Sequence, residues 1–246
     1  MEPVSWLMGE LDHALHALWR IRREARAKSR EKSGRGEATA GKHMDPLSAL
    51  LKEFIARSGL ADAEFYEDRK AALPGYFRPL KTWDLVVRYR GALVIALELK
   101  SHIGSYGNNF NNRVEEALGS AVDLNHSLAD GALSQHVLEG ESGVIPPFRG
   151  WLMVLPWEKE TTHPTKSPFQ PLFPLDSAFV VAGEGPLLTS YADRYREFIK
   201  RASAKKVYDA AALVLTKPQG GYHSDYNLKN FLELLAHHSR MVANSG

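Results

Sequence analysis

The sequence predicts an α/β or α+β protein in which a mixed β-sheet is flanked by helices. Apolar residues recur at helical spacing near both ends of the chain, whereas the middle contains short runs rich in branched residues. Two of these runs, Asp84–Tyr89 and Ala92–Leu99, are separated only by Arg90 and Gly91, which is typical of a β-hairpin. Helices interleaved with strands in this way favour one mixed sheet with helices packed against it.

The individual elements follow from apolar periodicity, capping residues and turn residues. Asp45 and Pro46 mark the start of a helix, with Asp45 as the N-cap, and Gly59 marks its end. The other predicted elements are a helix over 5–28, a loop over 29–43, a Gly/Asn-rich loop over 104–112, a helix over 113–128, strands over 151–155, 177–182 and 208–216, a turn-rich loop over 217–224 and a helix over 227–242.

Composition excludes several classes of protein. The 246 residues contain no cysteine, which excludes disulfides, thiolate zinc sites and a cysteine nucleophile. The N-terminus lacks the basic start and apolar core of a signal peptide. The strongest apolar stretch, Ala92–Leu99, is far too short to span a bilayer. We therefore expect a cytoplasmic protein without a membrane partner.

A basic segment near the N-terminus is a candidate surface for nucleic acid. The whole chain has a formal net charge of only +2, but residues 20–35 contain eight Lys or Arg and two Glu. Such a segment can neutralise phosphates. It is equally typical of a solvated helix end that runs into a loop, so the two interpretations stay open.

Three side chains of the predicted hairpin form the candidate active centre. Side chains alternate along a strand, so Glu98 and Lys100 lie on one face. Asp84 joins them only if it stands opposite Glu98, with Cβ atoms roughly 5 Å apart. A two-residue turn would pair Asp84 with Leu97 and place it on the other face. The arrangement therefore requires a three-residue turn centred on Gly91, or a β-bulge.

The chemistry of this group points to a divalent cation. Two carboxylates at that separation repel each other unless a cation lies between them, and oxygen ligands without His or Cys suit Mg²⁺. A water molecule activated by the metal can attack phosphorus. Lys100 can stabilise the charge that develops or help to deprotonate the water. The spacing is that of a phosphodiester hydrolase.

Two alternatives compete with this interpretation. Glu53 and the triplet Asp68-Arg69-Lys70 repeat the same spacing, although no long buried strand precedes Asp68. The hairpin could also be an ordinary surface hairpin that carries a salt bridge, because triplets of this kind are common.

The residues around the candidate centre resemble a known enzyme family. The stretches that carry the resemblance are Tyr76-Phe77-Arg78-Pro79-Leu80-Lys81-Thr82-Trp83-Asp84, Glu98-Leu99-Lys100-Ser101-His102-Ile103-Gly104, Gly107-Asn108-Asn109-Phe110-Asn111-Asn112-Arg113 and Glu115-Glu116-Ala117. They resemble the XhoI family of type II restriction endonucleases, a branch of the PD-(D/E)xK nuclease superfamily. The resemblance covers roughly residues 74–125. The superfamily is named for a proline before its first aspartate, and in this sequence Trp83 stands at that position before Asp84.

This resemblance implies a fold, a reaction and partners. It implies a restriction-endonuclease-like core in one domain over 1–246, with a helical and basic elaboration over about 1–43 and a catalytic core over about 44–216. Asp84 and Glu98 would bind the metal, and Lys100 would be the catalytic lysine. The substrate would be duplex DNA at the palindrome CTCGAG, cut to leave 5′-phosphates and four-base 5′ overhangs. A palindromic site implies a homodimer, and a restriction enzyme implies a cognate DNA methyltransferase.

Further residues near the centre are candidates for DNA contact. An Asn side chain can form two hydrogen bonds with the edge of an adenine, and an Arg side chain can do so with a guanine. Asn also favours turns and helix caps, however. The candidates are Asn108, Asn109, Asn111, Asn112, Arg113, Ser101 and His102. Glu53 could be the additional helix acid that many nucleases of this superfamily use, or a solvent-facing residue.

Two other functions stay open at this level. A related Mg²⁺ nuclease for repair or RNA cleavage would share the same core. A DNA-binding protein without cleavage is the other alternative, although all three residues of the centre are present.

Overall fold

The computed structural model of the chain describes residues 2–31, 42–140, 143–165 and 189–245. The predicted strand over 177–182 and most of the predicted loop over 29–43 lie outside these residues. The helices are α1 (Pro3–Glu31), α2 (Asp45–Ile55), α3 (Tyr106–Ala129), α4 (Lys159–Thr162), α5 (Tyr191–Ala204) and α6 (Leu228–Ala243). The strands are β1 (Glu64–Tyr66), β2 (Ala72–Pro74), β3 (Leu80–Thr82), β4 (Leu85–Tyr89), β5 (Ala92–Ser101), β6 (Leu138–Gly140), β7 (Gly143–Ile145), β8 (Phe148–Pro156), β9 (Ala210–Thr216) and β10 (Tyr222–Tyr226).

A mixed sheet forms the centre of the fold. Its strands lie in the order β1-β4-β5-β8-β9-β10, and β5, β8 and β9 run parallel while the outer pairs are antiparallel. One face, called here the α6 face, packs against α1, α2 and α6, and the other, the α3 face, packs against α3 and α5. The predicted fold class, a mixed sheet flanked by helices, is confirmed. None of the helices in the described parts of the chain has both the length and the apolar character of a membrane span.

The hairpin of β4 and β5 contains a β-bulge. Arg90 and Gly91 form a two-residue turn with φ angles of 52° and 81°, as expected for the turns that match the twist of a hairpin. The register then shifts between Val87 and Arg88, because Val94 is an extra residue in β5. The hairpin therefore combines the short turn with a bulge and does not use a three-residue turn.

The bulge changes which side chains share a face. Val94 and Ile95 are consecutive in sequence, yet both belong to the core on the α6 face. Beyond them Leu85 pairs with Leu97, so Asp84 stands opposite Glu98. Since Leu97 points to the α6 face, both Glu98 and the opposite residue Asp84 point to the α3 face.

The described residues contain elements that the sequence did not predict, namely β1, β2, β3, β6, β7, α4, α5 and β10. The prediction of a loop over 217–224 is wrong for its last three residues, which begin β10 and pair with β9 at the edge of the sheet. This strand has a polar sequence without apolar alternation, so its backbone pairing is the main reason that it forms. A capping box between Ser190 and Asp193 begins α5, a signal that can be read from sequence. The predicted N-cap is wrong by one residue, because α2 begins at Asp45 and Met44 occupies the cap position.

A second hairpin, formed by β2 and β3, is anchored to α3 by one buried carboxylate. The backbone N–H groups of Tyr76 and Phe77 donate to Oδ1 of Asp123 at 2.9 and 2.8 Å, and Arg78 Nε donates to Oδ2 at 2.9 Å. Asp123 is 3% exposed. A Cβ on Gly75 would lie 2.5 Å from both Arg78 O and Asp123 Oδ2, so only glycine allows this approach. The tip of the hairpin is therefore held rigidly.

Replacing Asp123 with Ala should lower the free energy of unfolding by about 2–3 kcal/mol at neutral pH, because hydrogen bonds to a buried charge are lost. Burial would raise the pKa of Asp123, but the N–H groups and the Arg78 guanidinium outweigh it and hold that pKa below its ordinary value. The stabilisation is therefore present above the ordinary pKa and is lost as pH falls through the lowered pKa. Urea denaturation of wild type and D123A across this range measures the difference. The exposed Glu115 on the same helix, replaced by Ala, is the control, and a difference that does not shrink in acid would contradict the assignment.

Candidate active site

Asp84, Glu98 and Lys100 meet at one place on the α3 face. The Lys100 ammonium lies 2.9 Å from Asp84 Oδ2 and 2.6 Å from Glu98 Oε2. Asp84 Oδ2 also accepts a hydrogen bond of 2.8 Å from the backbone N–H of Leu99. The geometry that the hairpin was expected to give is therefore present, with the bulge in place of a longer turn.

Burial and neighbouring charges have opposite effects on the pKa values of Glu98 and Lys100. Glu98 is 2% exposed, and its burial raises the pKa of its carboxyl, although nearby ammonium groups oppose this effect. Burial would lower the pKa of Lys100, but the carboxylates of Glu98 and Asp84 outweigh it and raise that pKa. Lys100 therefore carries its positive charge at neutral pH.

A second lysine contacts the same carboxylate. Lys81 in β3 forms an ion pair with Glu98 Oε1, and its side chain is 17% exposed. Lys81 lies in the stretch that carries the family resemblance, but sequence reasoning gave it no role. Strand periodicity could not have placed it, because β3 belongs to a separate two-stranded sheet.

A cavity of about 520 Å³ opens beside Asp84. It is bounded by the start of α2, including Asp45, and by Glu67 and Asp68. Burial is the largest of the influences that raise the pKa of Asp45, followed by the charges of Glu67 and Asp68. Of the competing triplet, Asp68 borders this cavity, but it begins a short 3₁₀ helix and is not on a strand.

Glu53 lies elsewhere on α2. It accepts hydrogen bonds from Arg57 at 2.9 and 2.6 Å in an exposed ion pair and does not line the cavity. The acid that α2 contributes to the cavity is Asp45, at the other end of the helix. The structure therefore gives no support to Glu53 as an additional site residue, and the solvent-facing interpretation fits its position.

The asparagine cluster lies on a helix. The prediction of a loop through Asn112 is wrong, because α3 begins at Tyr106. The rings of Tyr106 and Phe110 contact that of Tyr191 in tilted arrangements, with their centroids 5.6 and 6.3 Å from its centroid. These aromatic contacts, one turn apart, extend the helix towards its N-terminus in spite of the turn-forming residues.

The candidate DNA-contacting residues differ in how accessible they are. Asn108, Asn111 and Asn112 are exposed in the first two turns of α3, whereas Asn109 is half-buried. Arg113 Nη1 forms an ion pair of 2.6 Å with Glu116.

Ser101 and His102 are engaged inside the protein. Ser101 Oγ lies 2.7 Å from Nε2 of the buried His43. His102 is also buried, its Nδ1 lies 2.7 Å from the Tyr195 hydroxyl, and burial lowers its pKa to about 4. Their positions favour a structural role at the end of β5.

The basic segment reaches the loop that follows β5. Arg22 in α1 donates a hydrogen bond of 3.3 Å to the backbone oxygen of Ile103, and Arg23 donates one of 2.9 Å to Pro218. These contacts hold two of its arginines against the loops that follow β5 and β9. Both interpretations of the segment stay open.

The residues of the centre fit a small divalent cation. Glu98 Oε1 is buried and accepts no well-aligned hydrogen bond, its contact being the ion pair with Lys81. Two carboxylates are the usual protein ligands of Mg²⁺, which keeps several of its waters. Within the described ranges there is no group of three His, Asp or Glu that would enclose a metal by itself. Asp84 and Glu98 are therefore the residues that could hold the ion.

Comparison with known proteins decides the family. The family model of restriction endonuclease XhoI matches residues 23–227 of the chain. The chain belongs to the XhoI family of restriction endonucleases. It is therefore an enzyme that cleaves DNA. The match confirms the resemblance and extends it well beyond the stretches around the active centre.

Individual relatives agree with the family assignment. The type II restriction enzyme BstVI of Geobacillus stearothermophilus is 34% identical over 206 residues, which are 81% of this chain and 85% of that enzyme. XhoI of Xanthomonas vasicola is 38% identical over 164 residues, 63% of each chain, and AbrI of Azospirillum brasilense is 45% identical over 145 residues, 56% of this chain and 62% of that enzyme. No solved structure matches the chain.

His238 in α6 supports the bulge of this XhoI-family chain. Its Nε2 donates a hydrogen bond of 2.8 Å to the backbone oxygen of Val94, and it is buried on the α6 face. Burial lowers the pKa of His238, so the neutral ring is the donor. The imidazole therefore holds the residue that sets the register of Asp84.

Replacing His238 with Leu should lower the free energy of unfolding by about 1–3 kcal/mol, because a buried carbonyl loses its donor. It should also slow DNA cleavage, since the opposition of Asp84 and Glu98 depends on the bulge. Thermal or urea denaturation and a plasmid cleavage assay measure both effects. The exposed neighbour His237, replaced by Leu, should change stability by no more than about 0.5 kcal/mol. Equal behaviour of the two variants would contradict this role for His238.

Proposed function

We propose that the chain is a type II endonuclease that hydrolyses double-stranded DNA at one specific sequence, with Mg²⁺ as its cofactor. The observation that carries the proposal is the convergence of two carboxylates on one ammonium, with Lys100 Nζ 2.9 Å from Asp84 Oδ2 and 2.6 Å from Glu98 Oε2. Membership of the XhoI family supports it, because type II restriction endonucleases generally use a divalent metal ion. We propose CTCGAG as the recognition sequence.

The side chains have distinct roles in the proposed reaction. Hydrolysis joins a water oxygen to phosphorus and breaks the P–O3′ bond, whose oxygen takes up a proton, so that a 5′-phosphate and a 3′-hydroxyl remain. Asp84 and Glu98 would hold the ion, which supplies positive charge to the phosphate and acidifies water when bound. Lys100 orients the attacking water and stabilises negative charge at phosphorus. The backbone N–H of Leu99 keeps Asp84 oriented.

The partners follow from the palindromic substrate. We propose a homodimer, with one active centre for each strand, that acts in the cytoplasm alongside a cognate DNA methyltransferase. The whole chain would serve as one endonuclease domain. For DNA contact we favour Asn108, Asn111 and Asn112, because these side chains are exposed on the helix that follows the catalytic strand.

The reaction can be tested by digesting a plasmid of known sequence and mapping the ends. With Mg²⁺ we expect discrete fragments with 5′-phosphates and four-base 5′ overhangs at CTCGAG. With Ca²⁺ we expect specific binding with little cleavage, because the cation adds the positive charge that attracts phosphate, whereas cleavage needs an activated water. Discrete fragments that end at another sequence would refute CTCGAG as the recognition sequence but leave the rest of the proposed function intact. A smear or random nicking would instead favour the repair or RNA nuclease.

Each residue of the centre should be essential for cleavage. Asp84→Asn, Glu98→Gln and Lys100→Met should each reduce the rate by at least about 100-fold, the usual loss when one group that stabilises the transition state is removed. Circular dichroism and thermal melting should show that the variants remain folded. Exposed Glu233, replaced by Gln, is the matched control. Wild-type activity in any of the three would refute the role of that residue.

A further inference from the structure

Lys81 is held at the active centre by an element outside the main sheet. Its ammonium forms the ion pair with Glu98 Oε1 and donates a hydrogen bond of 2.5 Å to the backbone oxygen of Thr82. It also lies 5.4 Å from the centroid of the buried Trp83 ring. The tip of its hairpin is fixed by three hydrogen bonds to Asp123. Its position near Glu98 therefore does not depend on the alternation of β5.

The geometry leaves Lys81 with capacity for another acceptor. An ammonium has three N–H donors. Within the described parts of the chain, the contacts with Glu98 and Thr82 use two of them. The side chain is 17% exposed, so it is not sealed from the surface.

The charge balance of the centre also favours a role for the ammonium of Lys81. Asp84 and Glu98 are balanced by Lys81 and Lys100, so these four side chains sum to zero. A divalent cation would bring the centre to two positive charges. A phosphodiester carries one negative charge, and the pentacovalent group formed when deprotonated water adds to it carries two. With Lys81 the positive charge therefore matches the transition state, whereas without Lys81 it falls short by one.

We propose that Lys81 is a second catalytic lysine, which donates to a non-bridging oxygen of the phosphate that is cleaved. This inference rests on the proposed function. The Lys100 ammonium contacts Asp84 and the Oε2 atom of Glu98, whereas the Lys81 ammonium contacts the Oε1 atom of Glu98. The scissile phosphate would thus be neutralised from two directions.

Single-turnover cleavage tests the rate effect. The substrate is a duplex that contains the sequence at which the wild-type protein cuts. Lys81→Met should cut it at least about 100-fold more slowly, and Lys81→Arg, which keeps the charge, should recover part of that loss. Exposed Lys229, replaced by Met, is the matched control and should cut at the wild-type rate. A K81M rate within about twofold of wild type would overturn the proposal.

A second measurement separates contact with phosphate from support of Glu98. The same duplex is made with a neutral methylphosphonate at the scissile position, and binding is measured in Ca²⁺. The methylphosphonate should weaken binding by the wild-type protein but have little further effect on K81M, because the two changes remove the same contact. If it weakens K81M as much as wild type, Lys81 acts only on Glu98 and the catalytic role is refuted.

Two controls keep the outcome unambiguous. If K81M does not fold, Lys81→Gln replaces it, since the amide can still donate to Glu98 without a charge, and it should show the same losses. Wild-type rates in K81Q would equally overturn the proposal. Failure of the wild-type protein to cut any duplex would refute the proposed function, whereas cutting that requires Asp84 but not Lys81 would refute the inference alone.

Discussion

Asp84 stands opposite Glu98 only because β5 contains one more residue than β4 between the turn and the active centre. The two-residue turn alone would pair Asp84 with Leu97, on the face that packs against α6. Val94 absorbs the difference, and it is buried, so the bulge is built into the core. A hydrogen bond from His238 holds its carbonyl. The relative position of the two carboxylates is therefore fixed by packing on the opposite side of the sheet.

The charge balance of the centre follows from that register. Once the carboxylates of Asp84 and Glu98 share a face, the buried Glu98 requires positive charge beside it. Lys100 bridges them from within β5, and Lys81 reaches Glu98 from a hairpin that α3 anchors. In the proposed reaction a divalent cation would add to these balanced charges the excess positive charge that attracts a phosphodiester.

The helices around the sheet form the core, border the cavity and carry the candidate DNA-contacting residues. α6 and α2 build the core behind the centre, and α2 presents Asp45 to the cavity beside Asp84. α3 begins six residues after Lys100, so its exposed asparagines lie close in sequence to β5. The same helix contributes Asp123, which holds the second hairpin. One helix therefore connects the candidate DNA-contacting surface to the element that carries Lys81.

The sequence by itself determined the features that depend on local periodicity. Alternation along β5 put Glu98 and Lys100 on one face, the pair Arg90-Gly91 located the hairpin, and the spacing to Asp84 identified the candidate centre. The family resemblance also rests on residues that are close together in the chain. Such features follow from sequence because neighbouring residues in a strand have fixed relative directions.

Tertiary packing decided the rest. A bulge is not encoded by the turn residues alone, so only the packed sheet shows that the extra residue is Val94. Aromatic contacts with α5 extended α3 through asparagines that favour a turn. The approach of Lys81 to Glu98, and the presence of Asp45 instead of Glu53 at the cavity, depend on elements that meet only in the folded protein. Periodicity describes one element at a time, whereas these contacts join elements that are far apart in sequence.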